Sequence, residues 1–178
     1  VLCRSMEQLK AALEAGARDL YADFQDIREY GAAVTEAREI NARLFLATPR
    51  IQKPGELGLF KAMHRHGADG YLVRNLSGLR FFKERDARCI ADCSLNAANE
   101  LTVGWLCAQG SERVTASYDL NREQLLAMAA KAPSGRLEVV IHQHMPMLHM
   151  EHCVFCAVLS PGTNKTNVTP VACFENTA

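Results

Sequence analysis

Residues 43–75, RLFLATPRIQKPGELGLFKAMHRHGADGYLVRN, contain one complete strand–helix–strand unit. Arg43–Thr48 and Gly70–Val73 are short, mostly apolar runs of the kind that form buried strands. Between them, GELGLFKAMHRH has apolar residues at helical spacing, with Pro54 suited to its first position and Gly67 to its end. Two strands separated by a helix within about thirty residues make a parallel crossover. Each strand is followed at once by polar side chains: Thr48 and Arg50 after the first, Arg74 and Asn75 after the second.

The same unit recurs in both directions. Upstream, Val1–Cys3 ends a strand, and Ser5-x-x-Gln8 caps a helix marked by Met6, Leu9, Leu13 and Ala17. Asp19–Phe24 is the next strand, followed from about Asp26 by a helix with Ile27, Tyr30, Val34, Ala37 and Ile40 on one face. Downstream come a helix over Leu76–Arg85 and a strand over Arg88–Leu95. A helix near Glu100–Cys107 and a strand over Arg113–Tyr118 follow. Asn121-x-x-Gln124 then caps a last helix before the seventh strand, Leu137–His144. Alternation at intervals of roughly two dozen residues specifies a parallel sheet with helical crossovers.

A closed barrel and an open doubly wound sheet both fit that alternation. The expectation is a TIM-like (β/α) barrel with seven strands visible and the eighth unit missing or altered. No strand-to-helix turn carries a glycine-rich phosphate loop, which argues against the dinucleotide-binding sheet. Polar residues instead follow nearly every strand, where barrel enzymes gather their chemistry: Asp23 and Gln25, Thr48 and Arg50, Arg74 and Asn75, Asp92, Ser94 and Asn96, Tyr118 and Asp119, His142 and His144. Loops are also polar merely because they are wet, so each residue taken singly has that plainer explanation.

The 178 residues are 48% hydrophobic and 22% charged with a net charge of zero, so one sizeable core is expected and no basic face advertises nucleic acid. The N-terminus shows no charged leader before an apolar run, and no stretch is long enough to span a bilayer, so a cytoplasmic location is expected. Seven cysteines then read as thiols, ligands or core filler. Cys3, Cys107 and the pair Cys89/Cys93, four apart on one expected strand, read as small buried hydrophobes. Phe81, Phe82 and Trp105 read as packing.

Potential ligands concentrate in Arg136–Cys156, RLEVVIHQHMPMLHMEHCVFC, which holds four of the six histidines. On strand alternation Val140, His142 and His144 share a face, and imidazole is the side chain best suited to bind a metal or move a proton near neutrality. Cys153 and Cys156 have the spacing of thiolate ligands for zinc or iron–sulfur, with Glu151 and His152 beside them. Hydrogen-bonded structural histidines, or exposed ones for His149 and His152, are the plainer alternative.

Several segments resemble the collagenase-like peptidase family (peptidase family U32). They are SMEQLKAALEAGARDLYADF, FLATPRIQKPGE, DGYLVRNLSGLRFFKE, DCSLNAANELT, ASYDLNREQL and, most specifically, EVVIHQHMPMLHMEHCVFCAVLSPGT. The resemblance implies a barrel domain over residues 1–160 with a divergent tail over 161–178, and a peptidase. It also brings an alternative: an oxygen-independent hydroxylase of RNA or a quinone, carrying a four-iron four-sulfur cluster. A third implied role is a non-catalytic subunit paired with a copy of itself or with another barrel of the family.

Cluster-bearing members place a cysteine seven residues before the signature cysteine, where this chain has Pro146. Only Cys173 follows Cys153 and Cys156, so the ligand set is incomplete, with zinc as the other candidate. No G-x-S-x-G elbow or H-E-x-x-H helix is present to fix a hydrolytic mechanism. The expected site therefore assigns proton handling to Asp92, Tyr118, His142, His144 and Glu151. Substrate binding falls to Arg50, Arg74, Asn75, Ser94 and Asn96, the arginines suiting carboxylate or phosphate. Metal or cluster ligation falls to Cys153, Cys156 and Cys173.

Overall fold

The computed structural model describes residues 1–144. The chain forms two compact units, 1–141 and 142–178. In the first, seven strands lie in sequence order in one parallel sheet: β1 (Leu2–Cys3), β2 (Asp19–Ala22), β3 (Arg43–Ala47), β4 (Gly70–Val73), β5 (Cys89–Ala91), β6 (Ser111–Thr115) and β7 (Leu137–Glu138). The sheet curls through 220° into a half-barrel flanked by helices. These are α1 (Met6–Glu14), α2 (Tyr30–Glu39), α3 (Leu57–Arg65), α4 (Leu76–Lys83), α5 (Glu100–Ala108) and α6 (Arg122–Lys131).

Strand alternation sorts the side chains into two cores. Leu20, Ala22, Leu44, Leu46, Tyr71, Val73, Cys89, Ala91 and Val114 join the helices' apolar residues in the larger core. The intervening residues Phe45, Ala47, Leu72 and Ile90, with Tyr21 against them, form a smaller core on the opposite face, inside the curl. Tyr21 also reaches from β2 to β7, its hydroxyl donating to both carboxylate oxygens of Glu138 at 2.8 Å. Arg113 on β6 meets the same carboxylate at 2.9 Å.

Helix starts follow the sequence closely. Ser5 Oγ accepts the Gln8 N–H at 3.2 Å, and Asn121 and Gln124 form a reciprocal capping box at 2.9 and 3.0 Å. The helix expected from Pro54 begins instead at Leu57, after a turn in which the Glu56 N–H donates to the Lys53 carbonyl.

Three strands differ from expectation. The fifth, expected over Arg88–Leu95, stops at Ala91, because Asp92 accepts the Cys93 N–H and opens a 3-10 turn over Cys93–Leu95. Cys89 and Cys93 therefore do not share a strand face. The sixth starts at Ser111, two residues early, on an irregular register beside Cys89, and ends at Thr115. The seventh, expected to His144, pairs only through Leu137 and Glu138. Past that point β6 turns away: Ser117 donates its N–H to the Ala97 carbonyl, and among the described residues those after Glu138 have no ladder partner on that side. Val139, Val140 and Ile141 are exposed, so the strand alternation expected to align His142 with His144 is not realised. Trp105, expected to pack, is half exposed on α5, whereas Phe81 and Phe82 are buried as expected.

Packing inside the curl depends on Gly70. A Cβ there would lie 2.5 Å from the Phe45 ring and 2.7 Å from the Arg88 carbonyl oxygen. Gly70→Ala is expected to destabilise the fold by about 1–3 kcal/mol through overpacking. Urea denaturation measures this, and Gly16→Ala, which meets no neighbour, serves as the comparison for backbone strain alone.

Candidate functional site

At the C-terminal end of the sheet, the parity that places Tyr21, Leu72 and Ile90 inside the curl continues to Asp23, Arg74 and Asp92. The three side chains meet. Arg74 Nη1 and Nη2 donate to the two oxygens of Asp23 at 2.7 and 2.9 Å, and Nε donates to Asp92 Oδ2 at 2.7 Å. Side-chain exposures of 16% for Arg74, 21% for Asp23 and 12% for Asp92 make this a largely desolvated network. Burial alone pulls the guanidinium pKa down. Hydrogen bonds and charge from Asp23 and Asp92 more than reverse it, leaving Arg74 above its ordinary value.

The network is braced by the neighbouring strand ends. Thr48, fully buried, accepts the Arg74 N–H through Oγ1 at 3.0 Å, and Ser94 Oγ donates to the Arg74 carbonyl at 3.0 Å. Asn75 caps α4 by accepting the Gly78 N–H at 2.7 Å, while its amide donates to the Pro49 carbonyl at 2.9 Å. Asp92 Oδ1 accepts the Cys93 N–H at 2.9 Å. Ends of β3, β4 and β5 are thus tied together by side chains that follow them in sequence.

Of the residues expected to form the site, Arg74, Asn75, Asp92 and Ser94 come together here. Arg74, assigned to a substrate anion by its fork, commits three of its nitrogens to Asp23 and Asp92. Arg50 is exposed in the loop after β3, and Asn96 is exposed at the end of the 3-10 turn with a left-handed φ of 51°. Tyr118 lies half-buried in the turn after β6. Asp23 belongs to the strand-end set but carried no assigned role, and Cys93 was read as core. The signal for both was parity: Asp23 lies two residues past Tyr21, and Cys93 adjoins Asp92.

Cys93 is half-buried, and its thiol is pushed up to about 11, first by burial and then by the charge and hydrogen bond of Asp92. The charges of Arg74 and Arg50 act in the opposite direction.

In the second unit, His142 and His144 are exposed, with ring centroids 6.4 Å apart at 71°. Glu151, Cys153, Cys156 and Cys173, with His149, His152 and the boundary expected at 160/161, lie outside the described residues. Among the described residues no three His, Cys, Asp or Glu side chains group as metal ligands. The described thiols Cys3, Cys89, Cys93 and Cys107 are free, and burial raises each above the ordinary thiol value. Also among the described residues, no helix is long and apolar enough to cross a membrane.

The family model of peptidase family U32 matches residues 4–168. The solved structure of the U32 peptidase Mk0906 superposes with a TM-score of 0.61 at 12% identity, covering 78% of this chain and 65% of that one. A glycerol uptake operon antiterminator-related protein from Thermotoga maritima superposes with a TM-score of 0.50 at 11% identity, over 79% of this chain and 92% of that one. At such identities these are likenesses of fold. The chain spans about two thirds of the length of the U32 peptidase structure. No curated protein sequence matches it significantly.

The Cys93 environment gives a direct test of the network's charge. Iodoacetamide is expected to alkylate Cys93 slowly near neutrality and faster as pH approaches about 11. Asp92→Asn removes the carboxylate that holds the thiol proton on, so the Cys93 pKa falls and alkylation at mildly alkaline pH speeds up. Peptide mapping of the labelled protein reads the rate, and an unchanged or slower rate would contradict the assigned geometry.

Proposed function

The chain belongs to peptidase family U32, and we propose that it hydrolyses peptide bonds at the C-terminal mouth of the half-barrel. The observation that carries this reading is the Asp23–Arg74–Asp92 network, a fixed, largely desolvated charged floor at the end of the sheet where barrels keep their chemistry. Asp23 also meets Arg4 Nε at 3.9 Å, so two carboxylates face two guanidiniums there. Each carboxylate retains acceptor capacity beyond its bonds to Arg74, which suits the N–H groups of a peptide backbone.

In this reading Asp92 orients substrate or water as a hydrogen-bond acceptor. Arg74, Ser94 and Asn75 are positioning residues. Tyr118 would donate to the oxygen that gains charge; for the second unit, taken by itself, proton transfer at His142, His144 and Glu151 is proposed. Arg50 and Asn96 contact the substrate. The finer architecture we propose is a TIM-like (β/α) barrel, with the barrel domain over residues 1–160. The free thiols at Cys3, Cys89, Cys93 and Cys107 fit a reducing, cytoplasmic setting.

Cys153, Cys156 and Cys173 stay the proposed holders of a cluster or zinc, and no step is routed through them. Protein prepared without oxygen, assayed for iron, zinc and sulfide and then incubated with a peptide mixture, tests the reading. Hydrolysis by an iron-free preparation is expected, falling at least tenfold in Asp92→Asn while the thermal transition persists. Iron and stoichiometric sulfide with no hydrolysis would transfer the function to the hydroxylase class. Metal-free protein without turnover would leave the non-catalytic subunit.

A further inference from the structure

Arg74 is tied to its carboxylates, so a cation that meets a substrate anion has to come from elsewhere on the mouth. Arg50 stands two residues past Thr48, whose hydroxyl accepts the Arg74 N–H, and one residue past Pro49, whose carbonyl accepts from Asn75 at 2.9 Å. Those bonds set the Pro49–Ile51 segment against the Arg74–Leu76 segment. Ser94, bonded to the Arg74 carbonyl at 3.0 Å, brings the 3-10 turn beside them. Arg50's charge is felt by the Cys93 thiol on that turn. Arg50 is exposed and, among the described residues, has neither an ion-pair nor a hydrogen-bond partner. On either side of the Asn75–Pro49 bond, Ile51 is 45% exposed and Leu76 is 53% exposed. An unpaired guanidinium flanked by two uncovered aliphatic side chains is complementary to an anion that carries an apolar group.

Resting on the peptidase reading, we propose that Arg50 binds the free C-terminal carboxylate of a peptide substrate and that Ile51 and Leu76 receive its last, apolar side chain. The guanidinium fork takes both carboxylate oxygens. The substrate class is therefore short peptides ending in an aliphatic residue with an unblocked C-terminus.

Titration calorimetry with two synthetic peptides ending in leucine, identical except for a free acid or an amide at the C-terminus, decides this without reading turnover. The wild-type protein is expected to bind the acid about tenfold more tightly than the amide, the equivalent of one charge-assisted hydrogen-bond pair. Arg50→Met, a change at an exposed side chain without partners, is expected to keep the fold by circular dichroism and bind both peptides alike. Equal binding by the wild type, a preference that survives in Arg50→Met, or no binding of either peptide would each overturn the proposal. Acid preference without hydrolysis would sink the peptidase reading alone, and hydrolysis without acid preference would sink this assignment alone.

Discussion

The described fold depends on one guanidinium. Arg74 leaves β4 into the mouth of a curled sheet and is held by carboxylates that arrive from β2 on one side and β5 on the other. Removing that cation from water is costly, and the cost is offset only because three of its nitrogens find charged acceptors at 2.7–2.9 Å. A lysine would supply the charge but not a planar fork able to address two carboxylates at once. Because the three residues follow different strands, the network ties the end of β2 to that of β4, which backbone pairing links only through β3, and adds to the direct pairing of β4 with β5. Thr48 and Ser94 extend the tie through the backbone of Arg74 itself.

The two ends of the sheet use charge differently. At the N-terminal end, Asp19 pairs with Arg43 and Glu112 with Arg88, all on partly exposed side chains. Arg88 holds the Glu112 carboxyl below its ordinary range through its hydrogen bond. Such pairs are screened by water and contribute little. At the C-terminal end the charges are desolvated and each carboxylate retains acceptor capacity, so the same chemistry there becomes directional. On the proposed function, the acceptors of this floor would meet the N–H groups of a peptide and the exposed Arg50 its anion.

The repeat of strand and helix was legible because apolar spacing, capping residues and helix-ending glycines all agree. Ser5 and Asn121 cap as their sequence contexts indicate, and all seven strands exist. Strand lengths were less legible, because they are set by pairing partners. Asp92 and Leu137–His144 look alike in an alternating pattern, but Asp92 turns the chain by capping a 3-10 turn, and β7 loses its neighbour after Glu138. The strand-end rule pointed to Asp92, Arg74, Asn75 and Ser94, which meet at the end of the sheet. The bond from Arg74 to Asp23, 51 residues away in sequence, is invisible in one dimension. Tyr21 crossing the curl to Glu138, 117 residues distant, was equally out of reach.

Equilibrium unfolding of Arg74→Met is the sharpest test of the fold's dependence on Arg74. Removing the guanidinium would leave Asp92 without its counter-charge and Asp23 facing only Arg4 at 3.9 Å, so a loss of about 3–5 kcal/mol is predicted at neutral pH. A loss below about 1 kcal/mol, the behaviour of an exposed pair, would contradict it.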